Sequence, residues 1–100
     1  MTIVQLEYLL AVVNFGSFSL AAERSFVTQP SLSMQIKNLE EELGVVLLDR
    51  SKKPVILTQA GEVVAERARD VVKMFNSVYE DVAVLKGCLL YTSDAADDLT

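Results

Sequence analysis

Arg50, Lys52 and Lys53 crowd into "RSKK", and with Lys37 they make four of the nine basic residues in the 100-residue chain. Such side chains reach phosphate oxygens, and a cluster of them would hold a protein on a nucleic-acid backbone without reading its sequence. A second set lies in "QPSLSMQIKNLEEELG". Wound as a helix, this stretch puts Leu32, Ile36, Leu39 and Leu43 on one stripe and turns Pro30, Met34, Lys37 and Asn38 to the opposite side, with Ser31 and Ser33 on the flanks. The exposed N-terminal half is therefore small, polar and mildly basic. Glu40, Glu41 and Glu42 in the other half would repel phosphate and read as solvated. A helix of this kind would enter a DNA groove N-terminus first, where its free N–H groups also favour anions.

Other chemistry is thinly supplied. The absence of histidine removes the usual general base and the commonest metal ligand. No nucleophile–base pair, metal-ligand cluster or phosphate-binding loop stands out, so neither an enzyme nor a metal or cofactor is predicted. Residues 1–87 contain no cysteine, which fits a reducing cytoplasm. The longest early apolar run, "YLLAVV", falls far short of the roughly 18 residues that span a bilayer, and Glu7 interrupts the N-terminal region, so neither a membrane span nor a secretory signal is predicted. The net charge of −5 argues against DNA if taken alone. Without Asp94, Asp97 and Asp98, however, the balance is 11 acidic to 9 basic residues, and the placement of charge matters more than its sum.

The elements that would position these residues follow from local signals. Thr2 can cap a helix from Ile3, with Gln5 as capping-box partner, a stripe of Ile3, Leu6, Leu9, Leu10 and Val13, and Gly16 as its stop. A short helix fits Ser19 to Ser25, capped by Ser17 or Ser19, with Phe18, Ala21, Ala22 and Phe26 facing inward. "FVT" joins it to the next helix, whose first turn holds Pro30 and whose end is Gly44, making a helix-turn-helix. Val45 to Leu48 and Val55 to Leu57 are β-prone, and "RSKKP" between them reads as a hairpin tip, a basic wing. A last helix, capped by Thr58, carries Val64, Ala68, Val71, Phe75, Val78, Val82 and Leu85 at alternating spacings of four and three, a coiled-coil seam. Over residues 59–87 it would run about 40 Å, longer than so small a domain can cover, so pairing with a second copy is predicted. The fold class is mainly α with a small β-hairpin: a winged helix-turn-helix over 1–58, a linker or dimerisation helix over 59–87, and a tail over 88–100.

The stretch "SFSLAAERSFVTQPSLSMQIKNLEEELGVVLLDR", followed by "LTQAGE", resembles the N-terminal DNA-binding domain of LysR-type bacterial transcriptional regulators. Ala21-Ala22, Gln29-Pro30-Ser31, Ser33, Gln35-Ile36, Leu39-Glu40, Leu43-Gly44, Leu47, Arg50, Thr58 and Ala60-Gly61 carry the likeness, and "LGVVLLDRSKKPVILTQAG" is most similar to the hydrogen-peroxide-responsive, OxyR-like branch. The resemblance implies a third helix in the major groove and a long fourth helix pairing antiparallel with its copy. Two such heads would bind an interrupted palindrome in double-stranded DNA. It implies base or sugar contacts by Gln29, Pro30, Ser33 and Met34, backbone or adjacent-base contacts by Ser31, Gln35 and Lys37, and wing contacts by Arg50, Ser51, Lys52 and Lys53. Many relatives carry Arg at the position of Met34, and Met cannot make the bidentate guanine contact of Arg. The wider family usually has Phe at the position of Leu48, a matter of core packing.

In the family an effector domain follows the linker helix. Here "CLLYTSDAADD" instead resembles the translation of an adapter end used in transposon-based sequencing libraries, so residues 88–100 are read as a non-native tail and the chain as a DNA-binding head with its dimer helix and no inducer site. The alternative reading is a winged helix that only dimerises or binds other proteins.

Overall fold

In a computed structural model, the backbone is described for residues 1–97 and the side chains for residues 1–87. Helix α1 spans Ile3–Phe15. Thr2 Oγ1 accepts from the Gln5 amide at 3.1 Å, and Gln5 Oε1 accepts from the Thr2 amide at 3.1 Å, the reciprocal capping box that satisfies two otherwise orphaned donors. Gly16 ends the helix at φ 69°, and a Cβ there would stand 2.6 Å from Cβ of Pro54. Glycine at this position thus serves both the left-handed turn and the close approach of the wing. Helix α2, Phe18–Arg24, takes Ser17 as its cap, whose hydroxyl oxygen accepts from the Leu20 amide at 3.1 Å.

The turn after α2 departs from expectation. Phe26 does not face inward: it is 93% exposed at φ 60°. The chain reverses there, with the Val27 amide donating to the Ala22 carbonyl at 3.0 Å, and Val27 packs against the core instead. A period of 3.6 extrapolated past Ser25 fails because the helix has already ended.

Helix α3, Gln29–Leu43, is capped by Thr28 and stopped at Gly44. Leu32, Ile36 and Leu39 are fully buried, while Leu43, the fourth residue of the predicted stripe, is on the surface. The wing is an antiparallel pair, β1 (Leu48–Asp49) and β2 (Ile56–Leu57), with Leu48 opposite Leu57 and Asp49 opposite Ile56. Its strands are shorter than the β-prone runs because Val45 and Val46 lie exposed in the approach to the wing.

Glu40 is not solvated. One carboxylate oxygen accepts from the amides of Leu47 and Leu48, at 2.8 and 3.3 Å, and so turns the chain from α3 into β1. Of the neighbouring glutamates, Glu42 pairs with the N-terminal amine at 2.6 Å.

Helix α4 runs Gln59–Asp97. Thr58 Oγ1 accepts from the Gly61 amide at 2.9 Å and donates to the Val46 carbonyl at 2.6 Å, joining the helix start to the wing. Gly61 sits so close that a Cβ would fall 2.0 Å from the Leu47 carbonyl oxygen. The helix does not stop at Gly87. One interior glycine costs a helix only about 1 kcal/mol, too little to end one by itself. The non-native reading of residues 88–100 concerns side chains outside the described residues.

The core gathers Leu6, Leu9 and Val12 of α1, Ala21 and Ala22 of α2, the three apolar residues of α3, Leu47 and Leu48, and Ala65 and Ala68 of α4. The alanine pair lets α2 approach its neighbours closely. Gly61, Ala65, Ala68 and Val72 turn toward the head, so the predicted seam is corrected at its start: Ala68 is buried and Val64 packs against the same core. The α1 helix already covers that face. The free stripe begins at Val71.

Candidate nucleic-acid interface

The tip of α3, the start of α2 and the wing converge around a shallow cavity of about 340 Å³ lined by Ser19, Gln29, Arg50 and Lys53, among others. Gln29, Pro30, Ser31 and Met34 are exposed there, as are Lys37 and Asn38 farther along the helix, and Ser33 is half-buried. The sequence therefore placed the outer face of α3 correctly, because a capped helix of fixed pitch leaves no choice once its buried stripe is known.

Gln35 is the exception. It is half-buried, and its Oε1 accepts from Gln5 Nε2 at 3.1 Å. Gln5 is itself 8% exposed, so this bond satisfies a buried amide and ties α3 to α1. Gln35 is thus turned toward the body of the domain, not brought to the outer face.

Arg50 is a brace as much as a surface cation. Its guanidinium lies 4.6 Å from the centroid of the Phe18 ring, one nitrogen is 3.5 Å from Ser33 Oγ, and another is 3.6 Å from Glu40. Three elements are held by one planar, multi-donor group. Ser51 is also engaged: its amide and hydroxyl both donate to Asp49. The Ser51 hydroxyl, and then its amide, hold the Asp49 carboxyl below its ordinary value, with Lys52 adding a smaller effect. Lys52 and Lys53 are exposed and, among the described residues, have no carboxylate partner. They are the wing's free cations.

One link was invisible in the sequence. The Ser19 hydroxyl donates to Gln29 Oε1 at 2.9 Å, across the helix-turn-helix. No spacing rule connects two polar residues on different helices, so only their crossing reveals the pair.

On α4, Val71, Phe75, Val78, Val82 and Leu85 are 41–59% exposed, and Phe75 meets Tyr79 edge to face with centroids 5.9 Å apart. A single copy leaves this apolar stripe in water. Among the described residues no helix is long and apolar enough to cross a membrane.

The fold and sequence match known proteins. A hydrogen peroxide-inducible genes activator of Pectobacterium carotovorum subsp. carotovorum is 48% identical over 73 residues, which is 73% of this chain and 24% of that relative. The chain thus spans about a quarter of the length of the curated relatives it matches. Vibrio fischeri DarR, solved in complex with DNA, superposes with a TM-score of 0.79 at 33% identity over 88% of this chain and 30% of that one. The DNA-binding domain of CbnR, also solved with DNA, gives 0.77 at 36% identity over 86% of this chain and 99% of that one. The model of bacterial regulatory helix-turn-helix proteins of the lysR family matches residues 3–62, and the chain belongs to that family.

Proposed function

We propose that this chain binds double-stranded DNA in a sequence-dependent way as the reading head of a LysR-type transcription regulator, and that it does so as a homodimer. The observation that carries the reading is the cavity where exposed Gln29 of α3 meets Arg50 and Lys53 of the wing, with Pro30 and Met34 exposed on the same helix and Lys52 exposed on the same wing. The α3 tip supplies the groove contacts and the lysines supply phosphate contacts, a division that separates specificity from affinity. Pairing through Val71, Phe75, Val78, Val82 and Leu85 would cover the apolar stripe that a single copy exposes. Two heads related by a two-fold axis would address an interrupted palindrome.

Selection from a random duplex pool tests the reading, followed by binding of the selected site across a salt series. A palindromic consensus with a steep salt dependence is expected, and Lys52→Ala with Lys53→Ala should flatten the slope by up to about one unit per lost phosphate contact. Recovery of no consensus and no duplex binding would favour the alternative, a winged helix that only dimerises or engages proteins.

A further inference from the structure

The bond between Ser19 and Gln29 has a consequence for which bases the helix tip accepts. Gln29 is the first residue of α3, exposed at the mouth of the cavity between helix and wing. A free glutamine in a major groove is two-sided: its oxygen accepts and its NH₂ donates, the pairing that fits the N6 and N7 atoms of adenine. Here the oxygen is turned back toward α2, where it accepts from the Ser19 hydroxyl at 2.9 Å. The other end of the carboxamide, the NH₂, is the part left facing away from α2. It has donors only.

The next reading position carries the same bias. Ser33 Oγ lies 3.5 Å from an Arg50 nitrogen, a long contact from a group that can only donate. The serine oxygen is thereby turned toward Arg50 as an acceptor, and its hydroxyl hydrogen remains for a partner in the groove. Pro30 and Met34, both exposed on the same face, add apolar surface suited to a thymine methyl.

We infer that Ser19 is a positioning residue for specificity: by holding Gln29 Oε1 back toward α2 it keeps that oxygen from adenine N6, leaving adenine only N7 as an acceptor, and so favours the acceptor edges of guanine or thymine over adenine. The inference rests on the DNA-binding reading above. Ser19 touches no base in this account and acts through Gln29.

Ser19 is exposed and is not the cap of α2, a role that Ser17 fills, so Ser19→Ala should leave the fold intact. The experiment is selection from a random duplex pool with the full chain and four variants: Ser19→Ala, Ser19→Thr, Gln29→Ala and the double alanine. Gln29→Ala marks the base position that Gln29 reads, by loss of preference there. At that position the unaltered chain should favour guanine or thymine. Ser19→Ala should move the preference toward adenine by roughly fivefold or more, the scale of one bidentate pair, with the salt slope unchanged. Ser19→Thr should keep the original preference, and the double variant should match Gln29→Ala. An unchanged base preference in Ser19→Ala overturns the inference, and so does a loss of affinity that is equal for all sequences. If the unaltered chain yields no consensus at all, the DNA-binding reading itself fails.

Discussion

The head and the stalk of this molecule use apolar residues in opposite ways. In the head, Leu9, Leu32, Ile36 and Leu39 are wholly buried, and the buried stripe of each of the three short helices is covered by other elements of the same chain. In the stalk, the large apolar residues of α4 between Val72 and Gly87 stay in water: Val78 is 59% and Leu85 57% exposed. With 39 residues α4 is about 58 Å long, and only its first turns lie against the head. The difference teaches that the head covers its own apolar stripes whereas the stalk leaves its apolar stripe uncovered in a single copy. Substitutions in the two regions should therefore report on different observables.

The largest effect belongs in the head. Ile36→Ala empties a fully buried position and should cost about 2–5 kcal/mol in denaturant unfolding. Next is the joint between the regions. Gly61→Ala pushes a methyl to 2.0 Å from the Leu47 carbonyl, and the overpacking should cost about 1–3 kcal/mol, read in the same melts. The turn of the helix-turn-helix offers a gain: Phe26→Asn keeps φ 60° with a residue that tolerates it and should stabilise by up to about 1 kcal/mol.

The smallest effect is that of pH. Ser51 lowers the Asp49 carboxyl, so its contribution to stability is present above the ordinary aspartate range and is lost only as pH falls through the lowered value. With no histidine in the chain, melting temperature should stay flat from about pH 5 to about pH 7.

The legible features were local ones. The capping box of Thr2 and Gln5, the cap at Thr58 and the stops at Gly16 and Gly44 each depend on residues within one turn, and all stand where spacing put them. The outer face of α3 followed from its buried stripe. What the sequence hid depends on distant partners. Glu40 looks like one of three solvated glutamates until the Leu47 and Leu48 amides are brought to it. Gln35 is drawn inward by Gln5, thirty positions away. Ala68 suits a heptad by spacing, and only the packing of α1 claims it for the head. The resemblance implies wing contacts by Arg50 and Ser51, yet each is already engaged within the fold.

The claim that head and stalk do separable work is tested most directly by Val71→Asp with Phe75→Asp, studied by sedimentation on duplexes carrying one or two copies of the selected half-site. The variant should sediment as a monomer, bind the single half-site as the unaltered chain's head does, and lose roughly 10²-fold or more on the paired site, the advantage of two linked contacts. A variant that stays dimeric, or a monomer that no longer binds the single half-site, would contradict the account.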